Sequence, residues 1–387
     1  MQGSMRQRGD HSYQLRVHVG IDPLTHKHRY IARTVHGTKR EAQRALAALV
    51  AESDEFVPRS TKGATVATLL HEWLGQATPS FSARTVVVTN EIIENAIIPT
   101  LGSIPVTKLT SVEIDHFYNR LRSVGGPRGP YAPATIRRIH GVLSRALSQG
   151  VKWGWIRQNP AANASPPRVP FAEIKAVRPS EVSKLFQQAQ KTNPALATFI
   201  ALAASTGARR GELIALRWRN VDLKIGQVRI ERGIVLAGRE MVEQGTKTHQ
   251  SRAVAIDLVT AELLKQHHLK MTERADSVGT SIDSASFIFS DSVSCTTPWR
   301  PDSTSRAFRV LCQRVGIKGV RLHDLRHYVA THLLGAGVDV RTVAGRLGHR
   351  NASTTLNVYS HFLPEADREA AVRLGELLIN ANEATDS

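Results

Sequence analysis

The sequence predicts a multidomain protein of mixed class. A small α+β unit, a sheet plus one helix, is expected over residues 1–57. An all-α unit is expected over 64–165, and a larger mixed, mainly α unit with a small antiparallel β region over 173–387. Three observations predict this. The chain has 387 residues, more than one hydrophobic core usually organises. Its apolar period changes from alternation near the N-terminus to helical spacing beyond residue 38. Two stretches rich in Pro, Ser, Ala or Gly, residues 58–63 and 159–170, interrupt the pattern as connections do.

In the first unit Tyr13, Leu15, Val17 and Val19 alternate, the pattern of a half-buried strand. Asp22-Pro23 marks a turn, and Arg29 to Val35 reads as a second strand. Thr38 and Glu41 form a T-x-x-E capping box that opens a helix whose stripe is Ala42, Ala45, Leu46, Leu49 and Val50. Residues 1–45 carry nine Lys/Arg against three Asp/Glu, with five His. A small basic sheet of this kind suits a nucleic-acid groove, with Arg16, Arg29 and Arg33 as candidate contacts; a merely solvated surface is the alternative.

In the second unit Val66, Leu69, Leu70, Trp73 and Leu74 follow helical spacing, as do Val88, Ile92, Ile93 and Ala96, with a stop expected near Pro99. Thr110 and Glu113 make a second capping box before Ile114, Phe117, Tyr118 and Leu121. A Gly/Pro-rich loop, residues 125–133, precedes a helix with Ile136, Ile139, Leu143, Ala146 and Leu147 on one face, and Gly150 suits its end. From Arg120 to Arg157 there are eight basic residues and no acidic one. A solvated helix normally interleaves both signs, so Arg137, Arg138, Arg145 and Lys152 are candidate DNA-backbone contacts.

In the third unit Gln227 to Ile230, Gly233 to Leu236 and Arg252 to Ile256 read as strands, and Phe287-Ile288-Phe289 as a further short one. Helical patterns then run toward the C-terminus. A formal charge of +18 favours a polyanionic partner, nucleic acid ahead of an anionic membrane. Cys295 and Cys312 are too few for a disulfide framework, which fits a reducing compartment. No secretory signal or membrane-length apolar run is present, so a cytoplasmic location is expected.

Four stretches place polar residues in apolar helical surroundings. In Ser205 to Leu213, Arg209 falls in a turn between apolar helices with Glu212 one helical turn away. A buried Arg there needs an anion, either Glu212 itself or a bound phosphate. In His323-Asp324-Leu325-Arg326-His327, His323 and Arg326 share a helix face. His323 and His327 at i, i+4 also allow a metal pair, but no accompanying Cys or carboxylate ligand series is evident. The third stretch is Leu347-Gly348-His349, and the fourth is Thr354 to His361 with Tyr359 at its centre. Tyr328 is a second candidate nucleophile, but its position directly after His327 suits packing.

Together these stretches resemble the tyrosine recombinase (phage integrase) family. The resemblance rests on the order Arg209, His323-x-x-Arg326, His349, Tyr359, with 23 residues from Arg326 to His349 and ten from His349 to Tyr359. T-G-x-R-x-G-E-L, H-D-L-R-H, R-L-G-H and T-x-x-x-Y-S-H resemble that family's motifs over about residues 175–365. Ala208 stands where a bulkier residue is common, and Tyr328 where a Thr is common.

The resemblance implies a site-specific DNA recombinase that needs neither cofactor, metal nor ATP. Tyr359 would be the nucleophile, forming a 3′-phosphotyrosyl link. Arg209 and Arg326 would hold the phosphate, Lys247 would act as general acid, and His323 and His349 would assist, with Glu212 orienting its neighbours. Lys247 is chosen because Gly245-Thr246-Lys247-Thr248 precedes the strand at Arg252, where a β-hairpin lysine is expected; Lys224 and Lys265 are the rivals. Residues 64–165 would be a core-binding, SAM-like domain, residues 1–57 an arm-binding domain, and 173–387 the catalytic domain with a helical tail. Implied partners are core-type and arm-type attachment sites, a homotetramer on DNA, a host DNA-bending protein and a directionality factor. The tail, with Ala370, Leu374, Leu377 and Leu378 on one face, would pack on a neighbouring subunit or on its own domain. A multimer-resolving recombinase and a non-catalytic DNA-binding protein on the same scaffold are the alternative readings.

Overall fold

A computed structural model of the chain describes residues 3–21, 28–54, 63–126, 129–170, 177–245 and 251–349, with residue 372. The chain forms two compact units, Met1–Phe171 and Ala172–Ser387.

The first unit begins with strands β1 (Gly3–Gly9), β2 (Ser12–Ile21) and β3 (His28–His36), antiparallel in the order β1-β2-β3, followed by helix α1 (Lys39–Asp54). Strand β1 lay outside the sequence expectation. It is an edge strand without apolar alternation, and it is recruited by its ladder with β2, which runs from Gly3↔Val17 to Gly9↔Ser12. The β2 alternation turns Tyr13, Leu15 and Val17 onto Ala42 and Leu49 of α1. The cap of α1 is formed as the T-x-x-E pattern requires: the Thr38 N–H donates to Glu41 Oε2 at 2.7 Å and the Glu41 N–H to Thr38 Oγ1 at 3.4 Å. The candidate arginines are placed differently. Arg16 pairs with Ala32, opposite in pleat to Leu15, and its guanidinium lies 3.7 Å over the Tyr30 ring. Arg33 pairs with buried Leu15, and Arg29 pairs with Gly20 beyond a register shift in the ladder.

The helical part comprises α2 (Val66–Ala77), α3 (Ala83–Ile92), a π-helical turn (Ile93–Ile97), α4 (Ile98–Leu101), α5 (Ser111–Ser123) and α6 (Pro133–Lys152). The helical run ends at Leu101, two residues beyond the expected stop near Pro99. The Ile98 N–H reaches Ile93 O across the π turn, so Pro99 falls in the first turn of α4. The π turn shifts the hydrogen-bond register immediately before this proline, which has no N–H to donate. Gly150 is not the end of α6. It is buried, and a Cβ there would lie 3.1 Å from Leu69 Cδ2; the left-handed residue past the helix is Gly154, at φ 74°. The capping box of α5 forms, with the Thr110 N–H 2.7 Å from Glu113 Oε2. The apolar stripe of α6 enters one core with α2 and α5, leaving Arg137, Arg138, Arg145 and Lys152 exposed on the other side.

The second unit contains α7 (Pro179–Thr192), α8 (Pro194–Thr206), α9 (Arg210–Ile214), β4 (Val221–Asp222), β5 (Gln227–Ile230), β6 (Arg232–Ala237), β7 (Glu240–Gly245) and β8 (Arg252–Ala255). Helices α10 (Leu258–Asp276), α11 (Pro301–Arg314), α12 (Asp324–Gly335) and α13 (Val340–Leu347) follow. Strands β4, β5 and β8 form one antiparallel sheet in that order, and β6 and β7 form a separate hairpin inserted between β5 and β8. Strand β7 was not foreseen, because each of its residues is at most half-buried and its side chains do not alternate cleanly. Phe287, Ile288 and Phe289 are buried as their apolarity demands but make only an isolated bridge, Phe287 with Arg217. Leu185, Phe199, Leu213, Ile230, Phe289, Phe308 and Leu325 belong to the core on which the surrounding elements pack.

Candidate active site

Two helix ends build the site, and a left-handed glycine makes each one. Helix α8 ends at Gly207, φ 65°, where a Cβ would come within 2.5 Å of Leu347 Cδ2. Helix α13 ends at Gly348, φ 68°, where a Cβ would meet Arg252 Nη1 at 2.7 Å. Left-handed backbone is costly for residues with a Cβ, and here the space is also taken. The first turn delivers Arg209 to the mouth of α9, and the second delivers His349, whose N–H donates to Ala344 O at 2.9 Å.

Arg326 projects from the first turn of α12 and is only 4% exposed. Its Nη1 donates to Gly207 O at 2.8 Å, so the two arginine-bearing motifs meet through that carbonyl. The Glu212 carboxylate, 4% exposed, is shared by two guanidiniums. Oε1 accepts from Arg209 Nη1 at 2.7 Å, and Oε2 accepts from Arg252 Nη2 at 2.6 Å and the Arg209 N–H at 2.9 Å. Burial raises the Glu212 pKa, but the hydrogen bond and charge of Arg252, followed by those of Arg209, more than offset this and leave it below the ordinary value.

Both histidines are held neutral. Burial, then the neighbouring charges of His327 and Arg326, lower the His323 pKa to about 4. Burial, then Arg326, Arg209 and Arg252, lower His349 to about 4. These shared influences place Arg209, Arg326, His323 and His349 in one electrostatic neighbourhood, with the carboxylate of Glu212 among them. The His323 and His327 rings meet edge to face at 5.1 Å. Among the described residues no group of three or more His, Cys, Asp or Glu is arranged to hold a metal.

Tyr359 and Lys247 lie outside the described residues, as does the C-terminal tail apart from residue 372. The chain on either side of Lys247 is fixed: Gly245 pairs with Arg232, and Arg252 with Ile230. Lys247 therefore belongs to the connection from β7 to β8, not to the turn of the β6–β7 hairpin, where Gly238 has φ 63°. Lys224 and Lys265 are exposed, in the β4–β5 turn and on α10. Tyr328 packs against two hydrophobic clusters, 4.5 Å from the His332 ring.

Sequence reasoning missed Arg252, and it assigned no role to Arg346, which opens the R-L-G-H motif. Arg252 Nε donates to Arg346 O at 2.9 Å, while Arg346 Nη2 donates to Ser205 O at 2.6 Å and Ala255 O at 2.8 Å. In the sequence Arg252 reads only as the head of a strand, and Arg346 only as the first residue of R-L-G-H. The available signals were Arg346 within R-L-G-H and Arg252 at the head of a strand that follows the Lys247 segment.

Comparison with known proteins gives a consistent picture. The family model "Phage integrase family" matches residues 175–365, and "Phage integrase, N-terminal SAM-like domain" matches residues 65–122. The ICEBs1 integrase of Bacillus subtilis (strain 168) is 27% identical over 382 residues, covering 97% of this chain and 100% of that protein. Among solved structures, the Tn1549 transposon integrase in complex with a circular intermediate DNA superposes with a TM-score of 0.68 at 18% identity. It covers 80% of this chain and 99% of that one. A lambda integrase tetramer bound to a Holliday junction gives 0.58 at 18%, covering 90% and 96%. The structural likenesses establish the fold, and the family models and the full-length relative establish the kinship. This chain belongs to the phage integrase family of tyrosine recombinases and is a DNA strand-transferring enzyme of that family.

Proposed function

We propose that the protein integrates and excises a phage or other mobile element by cutting and rejoining DNA at specific sites through Tyr359. The observation that carries this reading is that Arg209, Arg326, His323 and His349 share one electrostatic neighbourhood, with Arg209 paired to the buried Glu212.

In the forward step the Tyr359 oxygen attacks the scissile phosphorus, and the bond from phosphorus to the 5′-oxygen breaks. The product is a 3′-phosphotyrosyl link and a 5′-hydroxyl. The ester bond is exchanged rather than hydrolysed, so rejoining is the same step reversed and draws on no nucleotide. A tyrosine of pKa about 10 is scarcely ionised at neutral pH. His323, neutral at that pH, is able to take the Tyr359 proton. Lys247 gives a proton to the departing 5′-oxygen. His349 offers an N–H to a non-bridging oxygen.

Charge matching supports the same reading. Two guanidiniums, those of Arg209 and Arg252, share the single carboxylate of Glu212 and so leave a net positive charge, and Arg326 adds to the positive field at His323 and His349. A phosphodiester carries one negative charge, and its pentacoordinate transition state approaches two. The surplus therefore complements the transition state better than the ground state. Removal of one such preorganised donor typically costs about 3–4 kcal/mol of transition-state binding, so Arg209→Ala and Arg326→Ala should leave no measurable turnover.

The remaining assignments follow the basic surfaces. The exposed face of α6, with Arg137, Arg138, Arg145 and Lys152, suits the backbone of a core-type site. The sheet face bearing Arg16 suits an arm-type site, and two linked DNA modules let one protomer bridge two sites. A tetramer on DNA, a bending protein and a directionality factor complete the proposed assembly.

The test uses labelled, nicked fragments tiled across DNA flanking the gene, incubated with protein in EDTA and run on denaturing gels. Wild type should give a protease-sensitive shifted band on the tile holding the core site. Tyr359→Phe should bind that tile and give no band. Strand exchange by Tyr359→Phe would refute the assignment.

A further inference from the structure

Arg252 lies 9% exposed at the start of β8, yet it touches two separate parts of the site. Its Nη2 is 2.6 Å from Glu212 Oε2, and its Nε is 2.9 Å from Arg346 O, one turn before His349. Glu212 in turn fixes Arg209 by both side chain and backbone. Arg346 carries the connection on to Ser205, two residues before Gly207, whose carbonyl receives Arg326. One guanidinium thus ties the Arg209 turn, the Gly348-His349 turn and strand β8 together. Its third nitrogen, Nη1, is buried without a hydrogen-bond partner among the described residues, and it occupies the space that a Cβ on Gly348 would need. A buried, incompletely satisfied guanidinium is costly and persists where its geometry is needed.

We propose that Arg252 is a positioning residue for strand cleavage: through Glu212 and the Arg346 carbonyl it locks Arg209 and His349 into one rigid frame before DNA arrives. Arg252 does not touch the phosphate; it sets the angle at which Arg209 and His349 do. The inference rests on the recombinase reading given above.

The carboxylate of Glu212 is faced by Arg252 and Arg209, and His349 by Arg326, Arg209, Arg252 and His327. Loss of the Arg252 charge releases Glu212 and His349 to take up protons at higher pH. The acid limb of the cleavage profile should therefore move toward neutrality.

The experiment measures single-turnover adduct formation on the DNA fragment that wild type attacks. It compares Arg252→Gln, Arg252→Lys, Glu212→Gln and the double Gln variant, with DNA affinity and melting temperature recorded for each. Wild type and Tyr359→Phe run in parallel: the wild-type adduct bears on the recombinase reading, and the ratio of each variant to wild type bears on this one. Arg252→Gln should slow adduct formation at least about a hundredfold with DNA affinity within about threefold, and its acid limb should shift upward. The double variant should be no more than about twofold slower than the slower single, because both changes dismantle one frame. Arg252→Lys keeps the charge but lacks the planar fork. It should melt near wild type and still be slowed at least about tenfold, which keeps the test decisive if the Gln variant folds poorly. Wild-type rates in Arg252→Lys, an unmoved acid limb in Arg252→Gln, or multiplicative losses in the double variant would overturn the proposal.

Discussion

At the scale of single residues, burial among cations makes His323 and His349 depart from ordinary histidines. Their pKa values of about 4 lie below the roughly 6.5 of an unfolded chain. Between those values the unfolded chain binds protons that the folded one does not, so stability falls as pH falls through this window. The loss levels off below about pH 4, where both states are protonated. Thermal melting followed from pH 7 to pH 4.5 should show this decline, and His323→Asn with His349→Asn should flatten it. Gly348→Ala makes a second residue-scale prediction. It adds left-handed strain of about 1–2 kcal/mol, together with the 2.7 Å approach to Arg252 Nη1. The variant should melt lower and lose cleavage more severely than its lost stability explains, as adduct yield at a temperature well below melting would reveal. The residues legible in the sequence were those whose chemistry is rare in a helical setting, such as Arg209, Glu212, His323, Arg326 and His349. Arg252 was not, because a lone Arg on a short strand carries no pattern, and its partners Glu212 and Arg346 lie 40 and 94 residues away along the chain.

At the scale of elements, the sequence was readable wherever one face is buried and the other is wet. Helices α1 and α5 announced themselves by caps and stripes, α6 by its stripe alone, and strands β2, β5 and β8 by apolar content. Strand β1 was hidden because it takes its place by pairing rather than by burial. Strand β7 was hidden because its two faces are about equally wet. The two helical residues beyond Pro99 were hidden for a different reason, because no local signal marks the π turn that shifts the hydrogen-bond register before the proline. Thr110→Ala should cost about 1 kcal/mol by removing the cap of α5, since Thr110 Oγ1 accepts the Glu113 N–H. Denaturant melts should register this as a lower midpoint with an unchanged slope.

At the scale of the whole molecule, the charge of +18 sets how the protein finds DNA. Each phosphate neutralised should add about 0.9 to the slope of log affinity against log salt. Replacement of Arg137, Arg138 and Arg145 by Gln should weaken binding to all sequences alike and flatten that slope by up to about 3, measured by fluorescence anisotropy over a salt series. Deletion of residues 1–57 should spare adduct formation on a core site and impair integration into a full attachment site. Full integration by the truncated protein would remove the arm-binding role from the sheet of β1, β2 and β3.

The uneven charge count around Glu212 has a consequence outside catalysis. The guanidiniums of Arg209 and Arg252 share one carboxylate, so this buried cluster keeps a net positive charge whose self-repulsion opposes folding of the unit that contains it. Any small oxyanion admitted there should act as a folding ligand, raising the melting temperature with the logarithm of its concentration. Sulfate should do this where chloride at matched ionic strength does not. The protein's shelf stability is then a property of the buffer it is stored in as much as of its sequence.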